Sequence, residues 1–140
     1  MAKRFRQGKA YEHTVVGLLT LEGFDVYYPV VDDQGIDGVI RVPSNVDGLP
    51  HYFELQIKGS HSWDKIRCKT GRLKRAGILV LYCAKERAIL WFLYEELADL
   101  FPHASPEWGD IFLKPKQVEQ FKLEGRGNLA ELRKRIGISN

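Results

Sequence analysis

The stretch His51-Tyr52-Phe53-Glu54-Leu55-Gln56-Ile57-Lys58-Gly59-Ser60, HYFELQIKGS, decides the fold. Phe53, Leu55 and Ile57 alternate with Glu54, Gln56 and Lys58, the period of two that sends successive side chains to opposite faces of a β-strand. One face is apolar. The other carries an acid, an amide and an amine in a row. Such a row on a wet strand adds only about a few tenths of a kcal/mol through opposite charges side by side and needs no further role. The alternative is a row that does chemistry, and the choice rests on what the flanking sequence brings to it.

Immediately upstream, IDGVIRV (36–42) places Asp37, Val39 and Arg41 on one side of a second strand and Gly38, Ile40 and Val42 on the other. PSNVDGLP, with its Asp47-Gly48 pair, is a turn-rich connection, so residues 36–58 read as a β-hairpin with a long loop. Pairing in that hairpin brings Asp37 near the end of the next strand, where Gln56 and Lys58 lie. Earlier still, GFDVYYPVV alternates Phe24, Val26 and Tyr28 with Asp25 and Tyr27 and reads as a strand that ends, or lies at an edge, at Pro29. DDQG is a loop, and Asp32 and Asp33 are loop acids. Lys9 to Glu22 reads as a helix, with Tyr11, Val15, Leu18 and Leu19 at helical spacing and Gly23 as a C-terminal stop. Glu12 lies beside that apolar stripe, where an acid needs either a partner or access to water.

Downstream, residues 59–76 are polar and basic. AGILVLYCA is a continuous apolar run of strand length, as expected of a central strand covered on both faces. RAILWFLY reads as the next strand and EELADLF as a short helix. Residues 102–110 are loop, and the remainder forms two short helices broken at Gly125 to Gly127. The order is helix, three strands, a basic connection, two strands, then helices. That is a single α/β domain with a mixed sheet.

The composition agrees. A chain of 140 residues, 44% hydrophobic and 28% charged, can bury one core of its own. No apolar run approaches the roughly 20 residues that span a membrane, and no apolar signal-peptide core follows the basic start, so export is not expected. Cys68 and Cys83 form neither a disulfide framework nor a CxxC motif, which fits a cytoplasmic protein with free thiols. The four histidines show no zinc spacing.

The net charge is only +3, but it is unevenly spread. Lys3, Arg4, Arg6 and Lys9 lie in a segment without acids, as do Lys65, Arg67, Lys69, Arg72, Lys74 and Arg75. Clusters of this kind suit a polyanion, and equally a solvated basic loop. Trp63, Trp91 and Trp108 read as core or rim more readily than as base-stacking platforms; Trp63, beside the second cluster, is the one to consider for a DNA contact. Ser60 and His61 read as polar loop or as a phosphate contact.

Carboxylate and carbonyl oxygens suit a hard divalent cation such as Mg²⁺. A lysine beside that ion suits an attacking water or the charge that develops on a phosphate. Phosphodiester hydrolysis needs these parts, with the basic clusters to hold the polyanion.

A helix with an inward Glu, a strand carrying Asp in GIDG, a strand ending ELQIKGS, then a basic segment and an apolar strand resembles the PD-(D/E)XK nuclease superfamily, the restriction-endonuclease-like fold. The layout looks most like the archaeal Holliday junction resolvase branch, and the local wording like members with Q-x-K in place of (D/E)-x-K. The resemblance covers about residues 8 to 94 and rests on short motifs in order. It implies a metal-dependent DNA endonuclease using Mg²⁺ or Mn²⁺. Asp37 would be the metal-binding Asp, Lys58 the catalytic lysine, and Glu12 the helix-borne acid of the resolvase-like branch. Gln56 stands where Asp or Glu is usual. Its amide oxygen can ligate Mg²⁺ but brings no charge. Glu54 has no fixed role in the family. It lies roughly 7 Å from Gln56 along the strand, too far to share one ion directly. Two symmetric cuts would imply a homodimer. The substitution at Gln56 favours the alternative of a catalytically silent member that keeps the fold and binds nucleic acid or a protein. A third reading is one component of a larger restriction, repair or mobile-element system.

Overall fold

The computed structural model describes residues 2–28, 36–43, 48–66, 77–101 and 113–137, with side chains from Arg6 onward. The strand β3 (His51–Ser60) lies at the middle of a five-stranded sheet of order β1-β2-β3-β4-β5. β1 (Asp25–Tyr27), β2 (Gly38–Val42) and β3 form an antiparallel meander, β4 (Gly77–Cys83) runs parallel to β3, and β5 (Ala88–Leu93) returns antiparallel. The hairpin, the mixed sheet and the two late strands are those expected from the alternation and the apolar runs.

β4 is buried at every position, because its two faces serve two cores. Ile78, Val80 and Tyr82 join Leu55 and Ile57 of β3 under Val15, Val16 and Leu19 of α1 (Ala2–Leu21) and Leu132 of α4 (Leu129–Arg135). Leu79, Leu81 and Cys83 face the other way, under Trp63, Leu97 of α2 (Leu97–Leu100), and Val118 and Phe121 of α3 (Pro115–Leu123). The break between α3 and α4 is tied to β5. The Trp91 N–H donates to the Arg126 carbonyl at 2.9 Å, and its indole Nε1 donates to the Asn128 carbonyl at 2.9 Å. Asn128 in turn caps α4, its Oδ1 accepting from the Ala130 N–H at 2.8 Å.

Two expectations need correction. α1 starts at Ala2, not Lys9, so Lys3, Arg4, Arg6 and Lys9 ride on its first turns. Trp63 is not an exposed stacking platform. It is 7% exposed, and its Nε1 donates to Glu86 Oε2 at 2.8 Å. Cys83 is a free, buried thiol. Cys68, Asp32, Asp33 and Trp108 lie outside the described residues, as do the 102–110 loop and most of the PSNVDGLP connection. Among the described residues, no helix is long and apolar enough to cross a membrane.

Candidate active site

β2 begins at Gly38, opposite Leu55, and β3 runs on past it from Gln56 to Ser60. Asp37 occupies the notch. Its backbone N–H still donates to the Leu55 carbonyl at 2.8 Å, and its Oδ2 accepts the Ile57 N–H at 2.7 Å. The carboxylate thus takes the place of the missing β2 residue and is fixed against the strand.

Three elements meet there. α1 crosses β3 on the face of Leu55 and Ile57 and brings Glu12 to Asp37. Gln56 and Lys58 pair with Leu79 and Leu81 of β4, so they belong to the opposite face, as does Glu54. The residues singled out by the alternation therefore surround one end of β2, with Glu12 from above the sheet, Asp37 in its plane and the Gln56-Lys58 pair below. Burial pushes the Asp37 pKa up most. The Ile57 N–H pulls it down, the Glu12 charge and hydrogen bond push it up again, and Lys58 pulls it down, leaving it at about 6.

The row on β3 is not a wet face throughout. Gln56 is 1% exposed, and Glu54 is partly buried with its Oε2 lacking a hydrogen-bond partner. Glu12 pairs with Lys9, whose Nζ is 3.3 Å from Oε2, so this lysine of the expected polyanion grip also contacts the site acid. Arg6 and Lys65 are exposed. The side chains of Lys3 and Arg4, and Arg67, Lys69, Lys74, Arg72 and Arg75 in full, lie outside the described residues.

The donor set fits a hard cation. Two neighbouring carboxyl groups and a buried amide are oxygen donors, and the charges of the two carboxylates repel one another until something positive arrives. Among the described residues, no cluster of three or more His, Cys, Asp or Glu is gathered as a metal site.

One support was not singled out as such in the sequence. A Cβ on Gly59 would come within 2.7 Å of Tyr11 Cδ2, so the bare backbone of Gly59 lets α1 approach β3. The Tyr11 ring also packs on Tyr82, centroids 5.5 Å apart. This contact sets the height of the helix turn that carries Glu12. The signal was a glycine inside a strand, directly after the lysine.

The chain is an α/β protein with a mixed five-stranded sheet flanked by helices, and the candidate site lies where β2 stops beside β3. Among solved structures it is similar to that of a bacterial homing endonuclease, I-Ssp6803I, with a TM-score of 0.53 and 17% identity, over 89% of this chain and 94% of that chain. At that identity the likeness is one of fold. No protein-family model matches the sequence, and no curated protein matches it.

Proposed function

We propose that the protein is a metal-dependent DNA endonuclease of the PD-(D/E)XK type, built on the Q-x-K variant of its motif. The observation that carries this reading is the meeting of Asp37, Glu12, Gln56 and Lys58 at one end of β2, from three elements far apart in sequence. The fold shared with a homing endonuclease supports it. Asp37, Glu12 and Gln56 would hold Mg²⁺ or Mn²⁺, with Glu54, too far along the strand to share that ion directly, linked through a bridging water or a second ion. The bound ion would supply Lewis-acid polarisation of a phosphate and a lowered pKa for water.

The chain's own residues do the rest. The Ile57 N–H holds the Asp37 carboxylate in one orientation. Gln56 and the neighbouring apolar residues of β3 and β4 exclude bulk water from one side of the site, which strengthens the charges within it. Lys58 Nζ, close enough to Asp37 to affect its proton affinity, stands ready to orient the attacking water or to balance charge growing on the phosphate. Arg6, Lys65 and the remaining basic residues grip the backbone, so binding weakens steeply with salt. Cutting both strands of a duplex calls for two copies of the chain.

The test is cleavage of labelled duplex, single-stranded, flap and four-way-junction DNA in Mg²⁺, Mn²⁺ or EDTA. Asp37→Ala and Lys58→Ala are each expected to lose about 10²–10⁴-fold in rate. One observation favours a second reading: the buried position nearest Asp37 on β3 carries a neutral amide. If the wild type cuts nothing and binds DNA equally well in EDTA, the protein is a non-cleaving DNA binder on the same scaffold.

A further inference from the structure

We propose that the cleft between α1 and the C-terminal end of β3 is a phosphate subsite for the nucleotide next to the scissile bond, an inference that rests on the nuclease reading above. The cleft has a volume of about 570 Å³. That is room for a nucleotide and more than a few waters need. Its walls come from Gln7, Gly8 and Tyr11 of α1 on one side, and from Gly59, Ser60, His61 and Lys65 on the other.

The chemistry of the wall is one-sided. Lys65, Ser60, His61 and Gln7 all offer hydrogen-bond donors, and no carboxylate is among the lining residues. Among the described residues no acid pairs with Lys65. Donors converging without an acid suit a phosphate oxygen better than a cation or an apolar group. The position is also right. Ser60 lies two residues beyond Lys58 at the same end of β3, about 7 Å further along, a distance on the order of one nucleotide step of an extended strand, although Lys58 itself belongs to the face away from α1. Tyr11, seated on Gly59 and against Tyr82, gives the cleft a fixed aromatic wall of the kind on which sugars and bases rest. A strand running from the Asp37-Lys58 notch toward the basic first turns of α1 would pass through it.

The test titrates the full chain in EDTA with a 5′-phosphorylated thymidine tetranucleotide, followed by backbone amide NMR. The signals of Gly59, Ser60 and His61 are expected to move. Lys65→Ala should weaken binding about tenfold, the size of one charge-assisted hydrogen bond, and flatten the salt dependence by about 0.7 in the log–log slope. Gly8→Leu is the second variant. A Cβ there meets nothing within 4 Å, so the new side chain builds into open space at the cleft. Replacing a helical glycine should raise the Tm while binding is lost. Wild-type affinity in both Lys65→Ala and Gly8→Leu, or shifts confined to other residues, would overturn the subsite. The two readings separate cleanly. A protein that cuts nothing yet loses tetranucleotide binding in Gly8→Leu keeps the subsite and loses the nuclease. One that cuts with unchanged KM in Gly8→Leu keeps the nuclease and loses the subsite.

Discussion

The two ends of the sheet treat buried charge in opposite ways. At the β5 end, Arg126 is 7% exposed, and its guanidinium pairs with Glu96 and lies over the rings of Trp91 and Phe92, 5.0 and 5.2 Å from their centroids. Glu96 gains a second cation from Arg135 at 3.2 Å. Unlike charges meet, and aromatic faces cover them. At the β2 end, Asp37 and Glu12 are neighbouring like charges and an amide fills the deepest position; each end also buries a polar atom without a hydrogen-bond partner, Arg126 Nε at one and Glu54 Oε2 at the other. The first arrangement makes sense as a means of holding α3, α4 and β5 together. The second sets like charges side by side, offset only in part by the Ile57 N–H, Lys9 and Lys58. A fold keeps unfavourable electrostatics of this kind where a ligand is expected to relieve them.

Breaking the first end should therefore cost stability and little else. Arg126→Ala strips Glu96 of its principal partner and removes the cation from the Trp91 and Phe92 faces. The expected loss is about 3 kcal/mol, at the low side of what orphaning a buried charge costs because Arg135 remains. Denaturant melts check this, and the rate of DNA cleavage per folded molecule should stay at the wild-type level. A stability change within error would mean that the cluster is decorative.

Gly59→Ala strikes between the two ends. The added methyl would lie 2.7 to 2.9 Å from three Tyr11 atoms, the nearest in the ring and another its Cβ, so α1 must move. Overpacking of this kind costs about 1–3 kcal/mol. Because Glu12 is the next residue on the helix, cleavage should fall more than stability suggests. A misplacement of about 1 Å at a reacting centre is worth up to 10²-fold. Trimming Tyr11 in the same chain should recover part of both losses. If Gly59→Ala melts lower but cuts at the full rate, the Tyr11 contact does not position Glu12.

The contrast between the two ends also explains what the sequence disclosed. Asp37, Gln56 and Lys58 were legible because a strand's period is strict and because Asp37 precedes a strand that must pair with HYFELQIKGS. Glu12 was legible only as an acid beside an apolar stripe. The start of α1 was not, since its first turns carry Lys3, Arg4 and Arg6 with no apolar stripe to reveal helical phase. The burial of Gln56 was hidden for a different reason. Alternation reports which side chains share a face, not whether a later part of the chain will cover that face, and Leu79 and Leu81 arrive more than twenty positions further on. Trp63 misled in the same way, its polar neighbourhood concealing an acceptor supplied by Glu86.

The smallest change should have the opposite sign. Asp37→Asn keeps an oxygen for the Ile57 N–H but removes the charge that faces Glu12. The pKa of Asp37 in the folded protein, about 6, stands above its ordinary 3.8. Its neutral form is therefore favoured by folding. That contribution is complete below about pH 4 and is lost as the pH rises through about 6. The asparagine is neutral at every pH, so the variant should be more stable than the wild type near pH 8. The gain should be on the order of 1 kcal/mol, kept small because the site is only partly buried and solvent screens it. The two melting curves should converge near pH 4 and below. Millimolar Mg²⁺ should raise the Tm of the wild type near pH 8 and leave Asp37→Asn unmoved, since an ion that binds only the folded state stabilises by mass action. A variant less stable than the wild type near pH 8, or a difference that stays constant between pH 4 and 8, would show that neither burial nor Glu12 disfavours the Asp37 charge. The notch beside β2 would then be an ordinary turn, held together by the Ile57 hydrogen bond and not poised for a cation.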